Sequence, residues 1–218
     1  MPTRVVFERS LTEIRDDLLR LSSMVDRSIV DSVRALVDRN EDLARFVSVN
    51  DATLNEVRWN IEEHCYTLIA TQQPSATDLR DVVGAVSVAT NLERIGDHAA
   101  GIARLTLRMI DQPLLKPLVD IPQMAEIGRD MVKGAVDAFI EHNAPLAERI
   151  VLRDRDIDLL HDRVYRELIT FMTRDTSTVE RATFLLWVSH NLERIGDRAM
   201  NICERAIYAA TGELKEFQ

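Results

Sequence analysis

The sequence predicts an all-α fold made of two tandem three-helix bundles related by internal duplication. Apolar residues recur at three- and four-residue spacing along most of the chain, which is typical of amphipathic helices. The seven residues 91–97 return unchanged as 191–197, which indicates a repeat of about half the chain. Aromatic residues make up only 5% of the chain, so strands are disfavoured.

Three helices are predicted in the first half. Apolar periodicity predicts the first over 8–38. A second helix follows Asn40 and ends at Pro74, because proline lacks the backbone donor that a helix requires. The third begins after Ser75 and stops at Asp111. Helices of this length with short turns are expected to pack antiparallel.

The second half repeats this plan. Its helices are predicted over 122–141, 144–174 and 178–211, and Gly212 closes the last one. The stretch between the halves is rich in proline and predicts an extended connector. The predicted division is therefore a first repeat at 1–111, a connector at 112–121 and a second repeat at 122–218.

Composition narrows the classes of function. A formal charge of −9 disfavours nucleic-acid binding, which relies on Lys and Arg to neutralise phosphates. Cys65 and Cys203 have no paired spacing, and the first residues lack the apolar segment of a secretory signal, so we expect a cytoplasmic protein. The longest uncharged stretches are about half of the ~20 apolar residues that a membrane span needs. Membrane association is therefore expected only through partners.

Each copy of the repeated segment carries a glutamate and an aspartate four residues apart. These pairs are Glu93 with Asp97 and Glu193 with Asp197. Such spacing places both carboxylates on one helix face, with β-carbons about 6 Å apart, where like charges repel. A bridging cation relieves that repulsion, and carboxylate oxygens suit hard cations and iron. The motif therefore predicts metal binding, with iron, zinc or manganese left open.

A second set of polar residues is predicted to face these motifs from the preceding helix. When the chain folds back near residue 74, Asp51 comes level with Asp97, and Asn55 comes level with Glu93. The corresponding fold-back near residue 175 levels Asp154 with Asp197 and Asp158 with Glu193. The recurrence of this arrangement favours metal binding over a solvated acidic face.

Two alternatives stay open for these residues. Arg94 and Arg194 allow an interpretation as surface salt-bridge networks of low stability. In the second half, His161 and His190 stand three residues from Asp158 and Glu193, the acidic-x-x-His spacing of metal sites in helical bundles. We expect His190 to add to the second metal site, where a transition metal would bind more tightly.

Other residues suggest structural roles. Gly96 and Gly196 lie inside predicted helices, where glycine costs about 1 kcal/mol relative to alanine, so close helix packing is expected at both. Trp59 and Trp187 are expected to be buried in the core or in an interface. No nucleophile with a base at motif spacing and no phosphate-cradling glycine loop occurs, so an enzyme is not expected.

The motifs also resemble those of a known family. The residues that carry the resemblance are Pro74 with Asp78–Arg80, both copies of the seven-residue segment, the stretch Leu186–His190 and the stretch Asn201–Glu204. In these residues the sequence is similar to the PhoU family. The resemblance spans nearly the whole chain.

The resemblance implies paired three-helix bundles, often homodimeric, that bind metal through these acidic motifs. It further implies a non-enzymatic negative regulator of phosphate uptake and of phosphate-starvation signalling. Its implied partners are a sensor histidine kinase and the ATPase subunit of a phosphate transporter. The motif positions are Glu93, Asp97, Glu193 and Asp197, and Asp51, Asp154 and Asp158 match the acidic positions of the facing helices. Asn55 departs from that pattern.

Competing functions remain at this point. One is a carboxylate-bridged metal-storage or di-metal redox bundle, although only the second half offers the histidines that such bundles use. Another is a regulator of the same family attached to a different solute carrier, since a fold does not specify its partner.

Overall fold

The computed structural model describes residues 2–217, so Met1 and Gln218, the outer ends of the two predicted repeats, lie outside it. Seven α-helices form, and no strand occurs within that range. The all-α prediction is thus confirmed. The helices are α1 Pro2–Asp38, α2 Glu41–Gln72, α3 Ala76–Met109, α4 Asp120–Ile140, α5 Ala144–Val151, α6 Asp154–Arg174 and α7 Val179–Thr211.

Helix α1 begins earlier than the sequence predicts. Its start at Pro2 adds a turn and a half before residue 8. Phe7 is buried at 4% exposure and anchors this extension to the core. Arg4 donates a hydrogen bond to Asp78 at the start of α3, which ties the two helix ends together. These long-range contacts stabilise a segment whose own periodicity is weak.

The prediction of one helix over 144–174 is wrong, because the chain breaks it at Leu152 and Arg153. Both residues keep helical backbone angles, but Arg153 and Asp156 donate backbone hydrogen bonds to carbonyls only three residues back. Asp154 becomes the first residue of α6, where a negative charge is favoured by the helix dipole. The second repeat therefore has two helices, α5 and α6, where the first repeat has the single helix α2.

The two units pack through their long last helices, α3 and α7. Helices α1, α2 and α3 contact one another, α4 to α7 form the second group, and α3 lies against α7. At this contact Arg108 stacks over the Phe184 ring at 4.4 Å, and His98 Nδ1 lies 3.0 Å from Asn191 Oδ1. One continuous apolar core runs through both units. The two repeats therefore share their interior.

Helix α1 and the turn after α4 also join the repeats. Arg129 makes a two-pronged ion pair with Asp26 across α4 and α1. His142, in the left-handed backbone region at φ 52°, places Nε2 2.8 Å from the buried carboxylate of Asp81. Arg15 approaches the other oxygen of Asp81 at 3.6 Å. Charged groups of both repeats thus meet at this boundary.

Close helix packing at the two motif glycines is confirmed. A β-carbon on Gly96 would lie 2.5 Å from Leu54 Cδ1, and one on Gly196 would lie 2.7 Å from Asp154 Oδ1. Each pair of helices therefore approaches closely at the level of the acidic motifs. This approach brings the carboxylates of neighbouring helices together.

The two tryptophans were expected to be buried in the core or in an interface, and burial in the core is wrong. Trp59 and Trp187 are 60% and 54% exposed. Each ring contacts a charged or polar neighbour instead. The Arg58 guanidinium lies 4.1 Å from the centre of the Trp59 ring, and the Trp187 and His190 rings meet edge to face with their centroids 5.9 Å apart. Interface burial stays a prediction.

The connector between the repeats is fastened to the second half. Lys116 pairs with Glu167 of α6, and Arg181 of α7 donates to the carbonyl of Pro113. None of the helices in residues 2–217 is both long and apolar enough to cross a membrane. The predicted division at 1–111, 112–121 and 122–218 stays a prediction.

Candidate metal centres

The first carboxylate site consists of Asp51 on α2 with Glu93 and Asp97 on α3. Asp51 and Asp97 lie next to each other, as the hairpin geometry predicts. Burial and the charge of Asp97 raise the pKa of Asp51, and burial with the charge of Asp97 raises the pKa of Glu93. The oxygen Oδ1 of Asp51 is buried and has no hydrogen-bond partner among the described residues. The site therefore holds negative charge that the protein only partly compensates.

The second carboxylate site contains four acidic side chains, Asp154 and Asp158 on α6 with Glu193 and Asp197 on α7. They line one cleft of about 530 Å³. Burial, then the charges of Asp158, Asp197 and Glu193, raises the pKa of Asp154 to about 7. Burial and the charges of Glu193 and Asp197 raise the pKa of Asp158 as well. The structure thus brings together all four predicted carboxylates.

Arginines accompany both motifs in the same way. Arg94 donates to Asp97 at 3.0 Å, and Arg194 donates to Asp197 at 2.8 Å. Both arginine side chains are half-exposed, at 55% and 50%, so these pairs contribute little stability. Arg94 also approaches Glu93, at 3.4 Å. The alternative of surface salt bridges therefore accounts for Glu93, Asp97 and Asp197, and it leaves Asp51 and Asp154 without an ion pair among the described residues.

The two sites differ in the cation that lies beside them. In the first site Arg58 pairs with Glu62 at 2.7 Å, and its charge, after that of Arg94, offsets part of the rise in the pKa of Glu93 that burial and Asp97 cause. Asn55, which was expected to face Glu93, directs its amide to the backbone carbonyl of Asp51 at 3.3 Å. An arginine and an amide in these places make the first site a poorer ligand set for a metal.

The second site has imidazoles where the first has Arg58 and Thr90. His190 Nδ1 lies 2.8 Å from Glu193 Oε2, and His161 Nδ1 lies 2.7 Å from the Ser189 hydroxyl. The two rings are 6.4 Å apart between centroids. His190 is therefore a neighbour of the carboxylates, as its spacing predicts. Carboxylate oxygens with imidazole nitrogens form a ligand set that iron, zinc and manganese accept.

The side chains do not converge on a single point. Among the residues that the structure describes, no group of three or more His, Cys, Asp or Glu side chains is already arranged to hold a metal ion. The carboxylates of each site repel one another, as the raised pKa values indicate. A cation bound between them would remove that repulsion. The residues fit a metal in chemistry, and binding one would require these side chains to rearrange.

The sequence analysis missed some residues of the second cleft. Met200, Asn201 and Phe217 line it beside the carboxylates. Met200 and Asn201 follow the motif by one turn of α7, so their helical position could have suggested them. Phe217 lies beyond the end of α7, and only the return of the chain places it there.

Known proteins match both repeats. The family model described as PhoU domain matches residues 18–106 and again 121–206. The chain belongs to the PhoU family. A relative from Clostridium acetobutylicum, named phosphate-specific transport system accessory protein PhoU homolog, is 38% identical over 212 residues and 97% of each chain is covered. The Escherichia coli protein named phosphate-specific transport system accessory protein PhoU is 32% identical, over 95% of this chain and 86% of the relative.

Solved structures of the PhoU family agree with the fold. The crystal structure of PhoU from Pseudomonas aeruginosa superposes with a TM-score of 0.90 at 33% identity and covers 95% of this chain and 100% of that one. The regulatory protein PhoU from Streptococcus pneumoniae gives a TM-score of 0.89 at 31% identity, over 97% and 100% of the two chains. Two tandem bundles of the PhoU type are thus confirmed, and both carboxylate sites lie within the matched segments.

Proposed function

We propose that this PhoU-family protein is a metal-binding accessory protein of phosphate transport that restrains phosphate uptake and phosphate-starvation signalling. It acts in the cytoplasm as a non-enzymatic adaptor between the ATPase subunit of the transporter and a sensor histidine kinase. The names of the relatives support the link to transport. The observation that carries the metal-binding part is the second carboxylate site, where four acidic side chains share one cleft.

The second site is the stronger metal site in this proposal. Asp154, Asp158, Glu193 and Asp197 would supply oxygens, and His190 would supply a nitrogen. A divalent iron, zinc or manganese ion would balance the negative charge that remains after Arg194 and Arg198, which also line the cleft. The first site, with Asp51, Glu93 and Asp97, would bind more weakly, because Arg58 already supplies part of that charge.

The first experiment measures metal content and native mass on protein purified without chelator or affinity-tag metal. The Glu193→Ala, Asp197→Ala double variant is compared with the matched Glu93→Ala, Asp97→Ala variant. We expect bound metal in the wild type, lost mainly in the Glu193 and Asp197 variant. A wild type that is purified without metal and also fails to bind added Mn²⁺, Fe²⁺ or Zn²⁺ would contradict the metal-binding part of the proposal. Native mass also tests the expected homodimer.

The protein carries its own reporter at each site. The chain has two tryptophans. Trp59 contacts Arg58 beside the first site, and Trp187 contacts His190 beside the second. A Trp59→Phe variant therefore reports the second site by fluorescence, and a Trp187→Phe variant reports the first. Titration of both variants with Mn²⁺ assigns binding to one site or the other.

The adaptor role is tested separately with purified partners. The transporter ATPase subunit and the cytoplasmic part of the sensor kinase are each mixed with this protein, with added Mn²⁺ and with chelator. We expect complexes with both partners on gel filtration. Failure to bind either partner under both conditions contradicts the adaptor role and leaves the metal result standing.

A further inference from the structure

The residues after α7 fold back onto the second repeat. Gly212, at φ 77°, ends the helix and turns the chain, and residues 213–217 follow without helical structure. Lys215 pairs with Glu148 of α5 at 2.6 Å. The backbone N–H of Phe217 donates to Glu204 of α7 at 2.9 Å. We call residues 213–217 the C-terminal strap.

The strap ends at the second carboxylate site. Phe217 packs against the apolar core and lines the same cleft as Asp154, Asp158, Glu193 and Asp197. The segment after α3, by contrast, runs to the second repeat, where Lys116 pairs with Glu167. In the described chain a strap therefore borders the second cleft and has no counterpart at the first.

The strap is held by few contacts. Lys215 and Glu148 are both half-exposed, so their ion pair contributes little. Leu214 is 75% exposed and anchors nothing. Among the described residues, the attachment therefore rests on the partly buried Phe217 ring and on two backbone hydrogen bonds, from Phe217 to Glu204 and from Glu213 to Thr211. A short non-helical segment with few buried apolar contacts is expected to open at lower free energy than the helices that form the core.

We propose that the C-terminal strap is a gate that controls access to the second carboxylate cleft, with Phe217 as its closing residue. When the strap is closed, the ring forms one wall of the cleft and slows the entry and exit of ions. When it opens, the carboxylates become accessible from that side. That the ion is a divalent metal rests on the proposed function, whereas control of access to the carboxylates does not.

The test compares the full-length wild type with a Lys215→Ala, Phe217→Ala variant and a Leu214→Ala control, all free of metal. Carboxyl groups are coupled to glycine ethyl ester with a carbodiimide, and the labelling rate of each site is read by mass spectrometry. We expect labelling of Asp154, the buried carboxylate of this cleft, to become about threefold or more faster in the double variant, because an opened segment exposes what it covered. Labelling of Asp51 and Asp97 in the same molecules, and all rates in the control, should stay unchanged.

Two outcomes overturn the gate. Equal labelling rates at the second site in wild type and double variant show that the strap does not restrict access. Faster labelling at both sites shows that the substitutions loosened the whole protein. Stopped-flow Mn²⁺ binding in the Trp59→Phe background adds a separate arm, in which faster entry and faster release are expected together. If no form binds Mn²⁺, the proposed metal function fails, and the labelling rates still decide the gate.

Discussion

Single residues set the geometry of each site, and the motif glycines illustrate this. At Gly196 the absent side chain leaves room for the Asp154 carboxylate, since a β-carbon would lie 2.7 Å from its oxygen. At Gly96 the equivalent space is taken by the end of the Leu54 side chain, with Asp51 further away at 3.8 Å. The motif glycine therefore makes room for a carboxylate oxygen in the second repeat and for the end of a leucine side chain in the first.

Gly196→Ala is expected to disturb the second site. The new methyl group displaces the Asp154 carboxylate, and displacing one ligand of a metal site lowers affinity by about tenfold or more. Gly96→Ala is the matched control, because the Leu54 end can rotate away, and Mn²⁺ affinity of the second site should stay unchanged. Fluorescence titration in the Trp59→Phe background measures both. Equal affinities in the two variants contradict the prediction.

The raised pKa of Asp154 predicts a pH-dependent stability of the metal-free protein. Its pKa is about 7 in the fold and about 3.9 in an unfolded chain. Between these values the folded state binds more protons, so the carboxylate lowers the free energy of unfolding as pH rises through this window. Asp154→Asn removes this loss, and its stability relative to wild type should be higher at about pH 8 than at about pH 5.

Urea denaturation in the presence of a chelator measures this difference. A difference in the free energy of unfolding that is the same at both pH values would contradict the assignment of Asp154. With Mn²⁺ added at the higher pH, the wild type should become more stable than Asp154→Asn, because metal binding restores the stability that the wild type loses without it.

At the scale of the element, helices α2 and α6 occupy equivalent places but present different side chains to the acidic motifs. Helix α2 is continuous and presents Asn55 and Arg58, whereas α6 starts at Asp154 and presents Asp158 and His161. The difference in expected metal affinity between the repeats therefore lies in the second helix of each hairpin. The motif helices α3 and α7 are identical over the seven residues.

Exchange of these two side chains should transfer metal affinity. Asn55→Asp with Arg58→His gives the first site a fourth carboxylate and an imidazole and removes a competing cation. Mn²⁺ affinity reported by Trp59 should rise by about tenfold or more. The reciprocal Asp158→Asn, His161→Arg variant should lose affinity at Trp187. Unchanged affinity in both exchanges contradicts the prediction. Because Glu62 loses its partner Arg58 in the first exchange, thermal denaturation checks that this variant stays folded.

At the scale of the whole molecule, the repeats are joined by helix packing and by a few buried polar contacts. The contact of α3 with α7 continues the apolar core from one repeat to the other. His142 of the second repeat also contacts Asp81 of the first repeat, and Asp81 is only 8% exposed. A shared core of this kind predicts that both repeats unfold in one transition.

His142→Ala is expected to weaken the union of the repeats. The substitution leaves a buried carboxylate of Asp81 with Arg15 as its remaining partner at 3.6 Å, which costs about 1–3 kcal/mol of unfolding free energy. His64→Ala is the control, because His64 lies 3.9 Å from an exposed carboxylate of Glu13. Urea denaturation measures both. Equal loss in the two variants contradicts a special role for His142.

The sequence alone determined the helical class, the duplication and the composition of the two carboxylate sites. These features depend on local spacing and on the length of a hairpin, so Asp51 could be placed level with Asp97, and Asp154 level with Asp197. Only the tertiary structure decided the break at Leu152, the exposure of both tryptophans, the contact of His142 with Asp81 and the return of Phe217 to the second cleft. The exposure of the tryptophans depends on which helix faces the fold covers. The contact of His142 with Asp81 and the return of Phe217 join residues distant in the chain, and the free energies of such contacts leave no periodic pattern in the sequence.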